Sequence, residues 1–264
     1  MRHGLVVLGF VGLWMALGWL LGLDANAYLL LGVPLTVAFQ VGVARQPLRA
    51  LWVRPAKPFR PTLAWVVIAL ALAALPVYEL ASAARTSGIA VMLWYVAAIA
   101  GAPAAAYALT RLDRRAWRAL AVAGGMVVLI AAAMIAGTAY TRGIALTPAV
   151  LWQGLRWSLL YFTVGFVIEE VTFRGALDSF VQDSRAPGWL SASFVAVLWG
   201  LWHLPVMPGG AALPAAVLAL ALLHLVVGLG LAYAWRLGGN LAIPALAHAL
   251  LDGVRNVVQL SLPG

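Results

Sequence analysis

Leu159-Leu160-Tyr161-Phe162-Thr163-Val164-Gly165-Phe166-Val167-Ile168-Glu169-Glu170-Val171-Thr172-Phe173-Arg174 carries an apolar stretch straight into a knot of charge. The chain has only 8 acidic residues in 264, and two of them stand side by side there. Apolar stretches recur along the whole sequence, which is 64% hydrophobic and 9% charged, with a mean hydropathy of +0.98. A water-soluble domain carries about 25% charged residues, so lipid is the solvent for most of this surface. The fold class expected is all-α, a polytopic membrane protein. Ionisable groups inside a span are costly and usually line a polar cavity with a function. Chemistry is therefore sought first at Glu169 and Glu170.

A span takes about 20 mostly apolar residues at about 1.5 Å rise each. Candidates are 4–23, 27–43, 62–81, 89–110, 119–137, 150–181, 189–207, 214–235 and 241–260. They give eight or nine transmembrane helices, since one early segment can be re-entrant or interfacial. Arg2 and His3 precede the first, and Ala25-Asn26-Ala27 has the small residues of a signal-peptide cleavage site. A signal-peptide core is only about 7–15 residues long, so the first segment is read as an uncleaved helix. Residues 1–149 form an N-terminal region of five spans, and 150–264 a helical core that carries the chemistry.

The net charge of +9 would suggest nucleic acid in a soluble protein. Here the cations sit in short loops, so membrane topology explains them and no nucleic-acid partner is expected. Arg45, Arg49, Arg54, Lys57 and Arg60 share one loop without an acid, and Arg111, Arg114, Arg115 and Arg118 share another with Asp113. Loops holding Asp24, Arg85 and Arg142 are poor in positive charge. The positive-inside rule puts both basic loops and the N-terminus in the cytoplasm, beneath a cell inner (plasma) membrane. Counting onward places 182–188 and 236–240 on that side too. Leu51, Trp52 and Phe59 among the cations suit 45–60 to anionic headgroups of the bilayer. The chain has no cysteine, which removes disulfides and thiolate metal sites.

On an α-helix Glu169 and Glu170 point about 100° apart. Glu170, Arg174 and Asp178 follow at i, i+4 and i+8, one stripe of alternating sign. Arg174 then neutralises Glu170 and leaves Glu169 without a local cation, a desolvated carboxylate suited to general-base work. A structural ion pair near a helix end is the plainer alternative. Among the histidines, His203 ends Trp199-Gly200-Leu201-Trp202-His203, and His248 stands one turn before Asp252. His224 has no polar partner on its own helix and reads as a packing residue; His3 is terminal. Glu169 and His203 lie at nearly equal depth, each about 20 Å up its helix from the turn around 182–188. His248 is nearer about 12 Å from residue 240, so the last helix must start deeper or kink at Pro244.

Glu-Glu-x-x-x-Arg, aromatic-x-x-x-His and His-x-x-x-Asp, in this order on successive helices, resemble the three motifs of the CAAX-protease and bacteriocin-processing family (CPBP, or ABI). The resemblance covers about 150 to 259 and includes the Ras-converting CAAX endopeptidase among its members. It implies a CAAX-type intramembrane endopeptidase. Glu169 would activate water, Glu170 and Arg174 would support it, and His203 would share in activation. His248 and Asp252 would stabilise the oxyanion. Trp199 stands where the motif commonly has Phe, and Asp252 where eukaryotic-type members have Asn. An ionised Asp cannot donate to an oxyanion, so Asp252 is better placed holding His248 in its donor state.

The family's "metalloprotease" label raises a divalent metal such as zinc, for which Glu169, His203 and His248 would form a His₂Glu set. The chain lacks HExxH, and the metal-free mechanism, with no cofactor, is favoured. Sixteen Arg against one Lys suggest a GC-rich bacterial genome, hence a peptide or membrane-protein substrate rather than a prenylated one. Two rivals stand beside hydrolysis: a non-catalytic immunity or sensor-modulating protein of the same fold, and a proton-coupled transporter. Intact motifs speak against the first, and no symmetry between two halves supports the second.

Overall fold

Apolar runs fix most of the architecture. The computed structural model describes residues 2–55, 58–182, 188–207 and 213–261 and is all-helical, apart from one bridge between Val53 and Asn240. Its helices are α1 (Arg2–Leu20), α2 (Ala25–Ala38), α3 (Leu63–Ala83), α4 (Ile89–Leu109) and α5 (Arg114–Arg142). Then come α6 (Pro148–Gly165), α7 (Ser179–Gln182), α8 (Gly188–Trp202), α9 (Leu213–Gly238) and α10 (Ala242–Leu260). Asp24, Thr62, Asp113 and Thr147 cap four of them, each accepting from backbone N–H groups in the first turn. Residues 183–187 of the turn expected around 182–188, and Lys57 in the basic loop, lie outside the described residues.

Among the described residues 7 helices are long and apolar enough to cross a bilayer, against the eight or nine expected. The chain is a multi-pass membrane protein. The shortfall lies in the sixth and last candidates. Gln153 and Arg156 dilute α6, and His248, Asp252, Arg255 and Asn256 dilute α10. These two helices pack against each other inside the bundle, where a lipid-facing surface is not required all round. Their close crossing rests on small residues: a Cβ on Gly253 would stand 1.9 Å from Ser158 Oγ. Gly101 of α4 lies equally tight on the Thr163 carbonyl of α6, its added Cβ only 1.9 Å away.

The expected single helix over 150–181 is broken. α6 stops at Gly165, residues 166–168 turn, and the chain re-enters a helix at Glu169. From Val171 to Asp178 that helix is π-helical, with wider turns closed by i→i+5 bonds. Trp52 Nε1 donates to the Phe166 carbonyl at 2.9 Å, and Thr172 Oγ1 to the Ile168 carbonyl at 2.6 Å, so exposed acceptors of the break are satisfied. The break puts both glutamates at the amino end of a helix, where the dipole favours carboxylates.

α10 starts at a buried turn, and Pro244 falls too near its amino end to interrupt its hydrogen-bond ladder. Asn240 is buried, its Nδ2 donating to the Ala108 carbonyl at 2.8 Å, and Leu241 N donates to the Trp52 carbonyl at 2.9 Å. Gly239 makes the turn out of α9 with φ +59°, where a Cβ would also meet the Arg54 carbonyl at 2.7 Å. Pro244 falls in the first helical turn, where no N–H is needed.

Candidate active site

Trp199 is the hub. Its indole Nε1 donates to Glu169 Oε2 at 2.9 Å, and its backbone carbonyl accepts from His203 Nδ1 at 2.9 Å. The Arg174 guanidinium lies over its ring at 4.9 Å, and the rings of His224 and His248 meet it edge-on at 4.5 and 5.0 Å. Trp in place of the expected Phe therefore supplies a hydrogen bond to Glu169 as well as an aromatic wall.

The expected stripe of Glu170, Arg174 and Asp178 is split. Arg174 Nε faces Glu170 Oε2 at 3.5 Å, with both side chains fully buried. Asp178 pairs instead with Arg236 of α9, through bonds of 2.9 and 2.6 Å, and Arg236 also reaches Ser191 Oγ on α8 at 3.0 Å. The π-helical turns account for this, because the wider pitch carries Asp178 out from under Arg174. Beyond Glu170 and the Trp199 face, Arg174 finds no hydrogen-bond acceptor among the described residues.

Glu169 and His203 meet, with Glu169 Oε2 3.8 Å from His203 Nε2 and both only partly exposed. A carbonyl can only accept, so the bond to the Trp199 carbonyl places a proton on His203 Nδ1. In the neutral ring, Nε2 is then an acceptor aimed at the Glu169 carboxylate. His203 itself is held from the first helices: Tyr28 Oη donates to the Trp202 carbonyl at 2.8 Å, and Trp14 Nε1 to the Tyr28 carbonyl at 2.9 Å.

His248 stands between two carboxylates. Its Nδ1 is 3.0 Å from Glu170 Oε1 and its Nε2 is 3.5 Å from Asp252 Oδ2. Glu170 is thus the nearer orienting acid, while Asp252 is drawn to Arg255 Nη1 at 2.9 Å. Glu169, Trp199, His203, His224, His248 and Asp252 all line one cavity of about 440 Å³, within the range of ligand pockets. A second cavity of about 20 Å³, against Tyr161, Glu169, His248 and Asp252, has room for one water.

His224, read from sequence as packing, belongs to this cavity. Its Nδ1 is fixed by the Leu220 carbonyl at 2.8 Å, and its ring lies 4.5 Å from that of His203. Its neighbours are on α8, so nothing along its own helix marks it. Glu169, His203 and His248 do not assemble as ligands: among the described residues no three His, Asp or Glu side chains form a group able to hold a metal ion. Both nitrogens of His248 already face carboxylates. The donor set does not fit a His₂Glu zinc site.

Residues 151–254 match the family model described as type II CAAX prenyl endopeptidase, Rce1-like. No curated protein and no solved structure matches the chain. The matched stretch spans α6 to α10 and includes every residue of the three motifs as well as His224. This Rce1-like domain over 151–254 supports assignment to the CAAX-protease family.

Proposed function

We propose that this chain is an intramembrane endopeptidase in which Glu169 is the general base for a water held jointly with His203. The observation that carries this reading is the 3.8 Å separation of Glu169 Oε2 and His203 Nε2 at the wall of the large cavity. Both atoms accept hydrogen bonds. A water donating one proton to each leaves its lone pair directed at a peptide carbonyl in the cavity. Glu169 takes the proton as the water attacks, and the tetrahedral oxyanion forms beside His248. With Nδ1 bonded to Glu170 and Nε2 protonated next to Asp252, His248 is the donor that stabilises this charge. The proton on Glu169 then passes to the leaving amine.

The substrate is a peptide or membrane-protein segment, entering among Leu29, Ile130, Met134, Leu220 and Val227 on the apolar walls. The N-terminus is cytoplasmic and the membrane is the cell's inner membrane, supported by the basic ends of α3, α4 and α5.

The mechanism is metal-free. Purified full-length protein is expected to cleave an internally quenched peptide at an unchanged rate after EDTA or 1,10-phenanthroline. Elemental analysis should find less than stoichiometric zinc. Loss of activity on chelation, restored by zinc, would reject the mechanism. Removing an oxyanion donor costs about 10²–10³ in kcat, so His248→Ala should fall by that much. Asp252→Asn should fall far less, because Glu170 still orients the ring. Equal losses in the two variants would return the orienting role to Asp252.

Trp199 positions Glu169. Trp199→Phe keeps the aromatic wall and deletes the N–H, so kcat is expected to drop about tenfold with KM little changed, as for a lost hydrogen bond to a charged group of about 1.5 kcal/mol. A change in KM alone would assign Trp199 to substrate binding.

A further inference from the structure

A third cavity, remote from the histidines, lies beside the chain that joins α2 to α3. It is about 310 Å³ and is lined by Trp52, Phe59, Trp65, Ala100, Pro103 and Tyr107, with Arg49 at its edge. Ala100, Pro103 and Phe59 are exposed on the outer face of the bundle, so the cavity is a groove reachable from the bilayer. Arg49 is exposed and has no ion-pair or side-chain hydrogen-bond partner among the described residues. Arg111 stacks on Tyr107, one wall of the groove, at 4.2 Å and donates to the Pro58 carbonyl at 3.3 Å. Asp113 caps α5 and forms no ion pair with Arg49 or Arg111 among the described residues. An apolar groove with an uncompensated cation at its mouth, at the basic end of the helices, matches one chemistry: an acyl chain below an anionic headgroup.

The loop joining α2 to α3 also braces the catalytic helices. Trp52, which lines the groove, also holds the Phe166 carbonyl three residues before Glu169. Its own carbonyl takes the Leu241 N–H at the start of the helix bearing His248. The Leu51 carbonyl lies where a Cβ on Gly175 would come within 2.5 Å. The loop therefore touches the break, the π-helical turn and the root of α10.

We propose that this groove is a binding site for an anionic phospholipid, whose acyl chain packs on Trp52 and Trp65 and whose headgroup phosphate pairs with Arg49. Occupancy stiffens the loop that holds the break before Glu169. This site is independent of the proteolytic reading, and its test needs no substrate.

The test is native mass spectrometry of the full chain released from mixed micelles of phosphatidylglycerol and acyl-matched phosphatidylcholine. Wild type should retain phosphatidylglycerol about fivefold over phosphatidylcholine, the ratio that roughly 1 kcal/mol per surface arginine gives. Arg49→Gln should lose the preference. Ala100→Trp, filling the groove from an exposed position, should lose the retained lipid itself. Thermal melting should rise more with phosphatidylglycerol than with phosphatidylcholine in wild type, equally with both in Arg49→Gln, and with neither in Ala100→Trp. Equal retention of the two lipids by wild type, or undiminished phosphatidylglycerol on Ala100→Trp, would overturn the site. Displacement of the lipid by a soluble acidic peptide would overturn it as well, assigning the groove to peptide.

Discussion

Glu169→Gln is expected to lower peptide hydrolysis by about 10³-fold, within the about 10²–10⁴ that a positioned general base contributes, while the protein still folds. The amide keeps the shape of the side chain and its carbonyl oxygen still accepts the Trp199 N–H, now found at 2.9 Å from Oε2. What it loses is the ability to take a proton from water. Folding should survive because Glu169 is partly exposed to the cavity and has no buried cation relying on it. The check is an initial-rate assay with a quenched peptide on reconstituted protein, alongside thermal melting. A wild-type rate from the variant would remove Glu169 from the chemistry, and an unfolded variant would make it a structural residue.

Glu170→Ala is expected to fail differently, by loss of the fold. Glu170 is fully buried and is the only carboxylate facing Arg174, itself fully buried without another hydrogen-bond acceptor among the described residues. It also holds His248 Nδ1 at 3.0 Å. Removing one member of a buried pair strands the other charge and costs about 3–5 kcal/mol, a large share of the about 5–15 kcal/mol that holds a typical protein together. The chain should aggregate or melt well below wild type in detergent. The double variant Glu170→Gln with Arg174→Met removes both charges and should recover much of the melting temperature without recovering activity. If Glu170→Ala melted like wild type, the Glu170–Arg174 pair would have no structural role.

The chemistry was more legible in the sequence than the geometry. Charge in an apolar chain is rare, so Glu169, Glu170, Arg174, His203, His248 and Asp252 stand out by type alone, and their order pointed to the family whose model matches 151–254. The break at 166–168 did not stand out. Phe166-Val167-Ile168 holds no proline, and Gly165 alone is a weak signal. The turn is held by Trp52, 114 residues away in sequence. Reading 150–181 as one α-helix then gave Asp178 the wrong partner, since pitch decides which residues stack. His224 was missed for a related reason, because its fixed orientation and ring contacts come from the i−4 carbonyl and from α8 rather than from a pattern of polar residues. Trp14 and Tyr28 read only as generic membrane residues. Their role appears when Tyr28 Oη reaches the carbonyl beside His203.

A single turnover in H₂¹⁸O, with enzyme in excess over peptide, tests base catalysis by Glu169 most directly. Attack by a water that Glu169 deprotonates places the label in the new carboxylate of the peptide product and leaves none in the Glu169 side chain. Label recovered in Glu169 after digestion and mass spectrometry would mean that its carboxylate had been acylated, and would contradict water activation at this site.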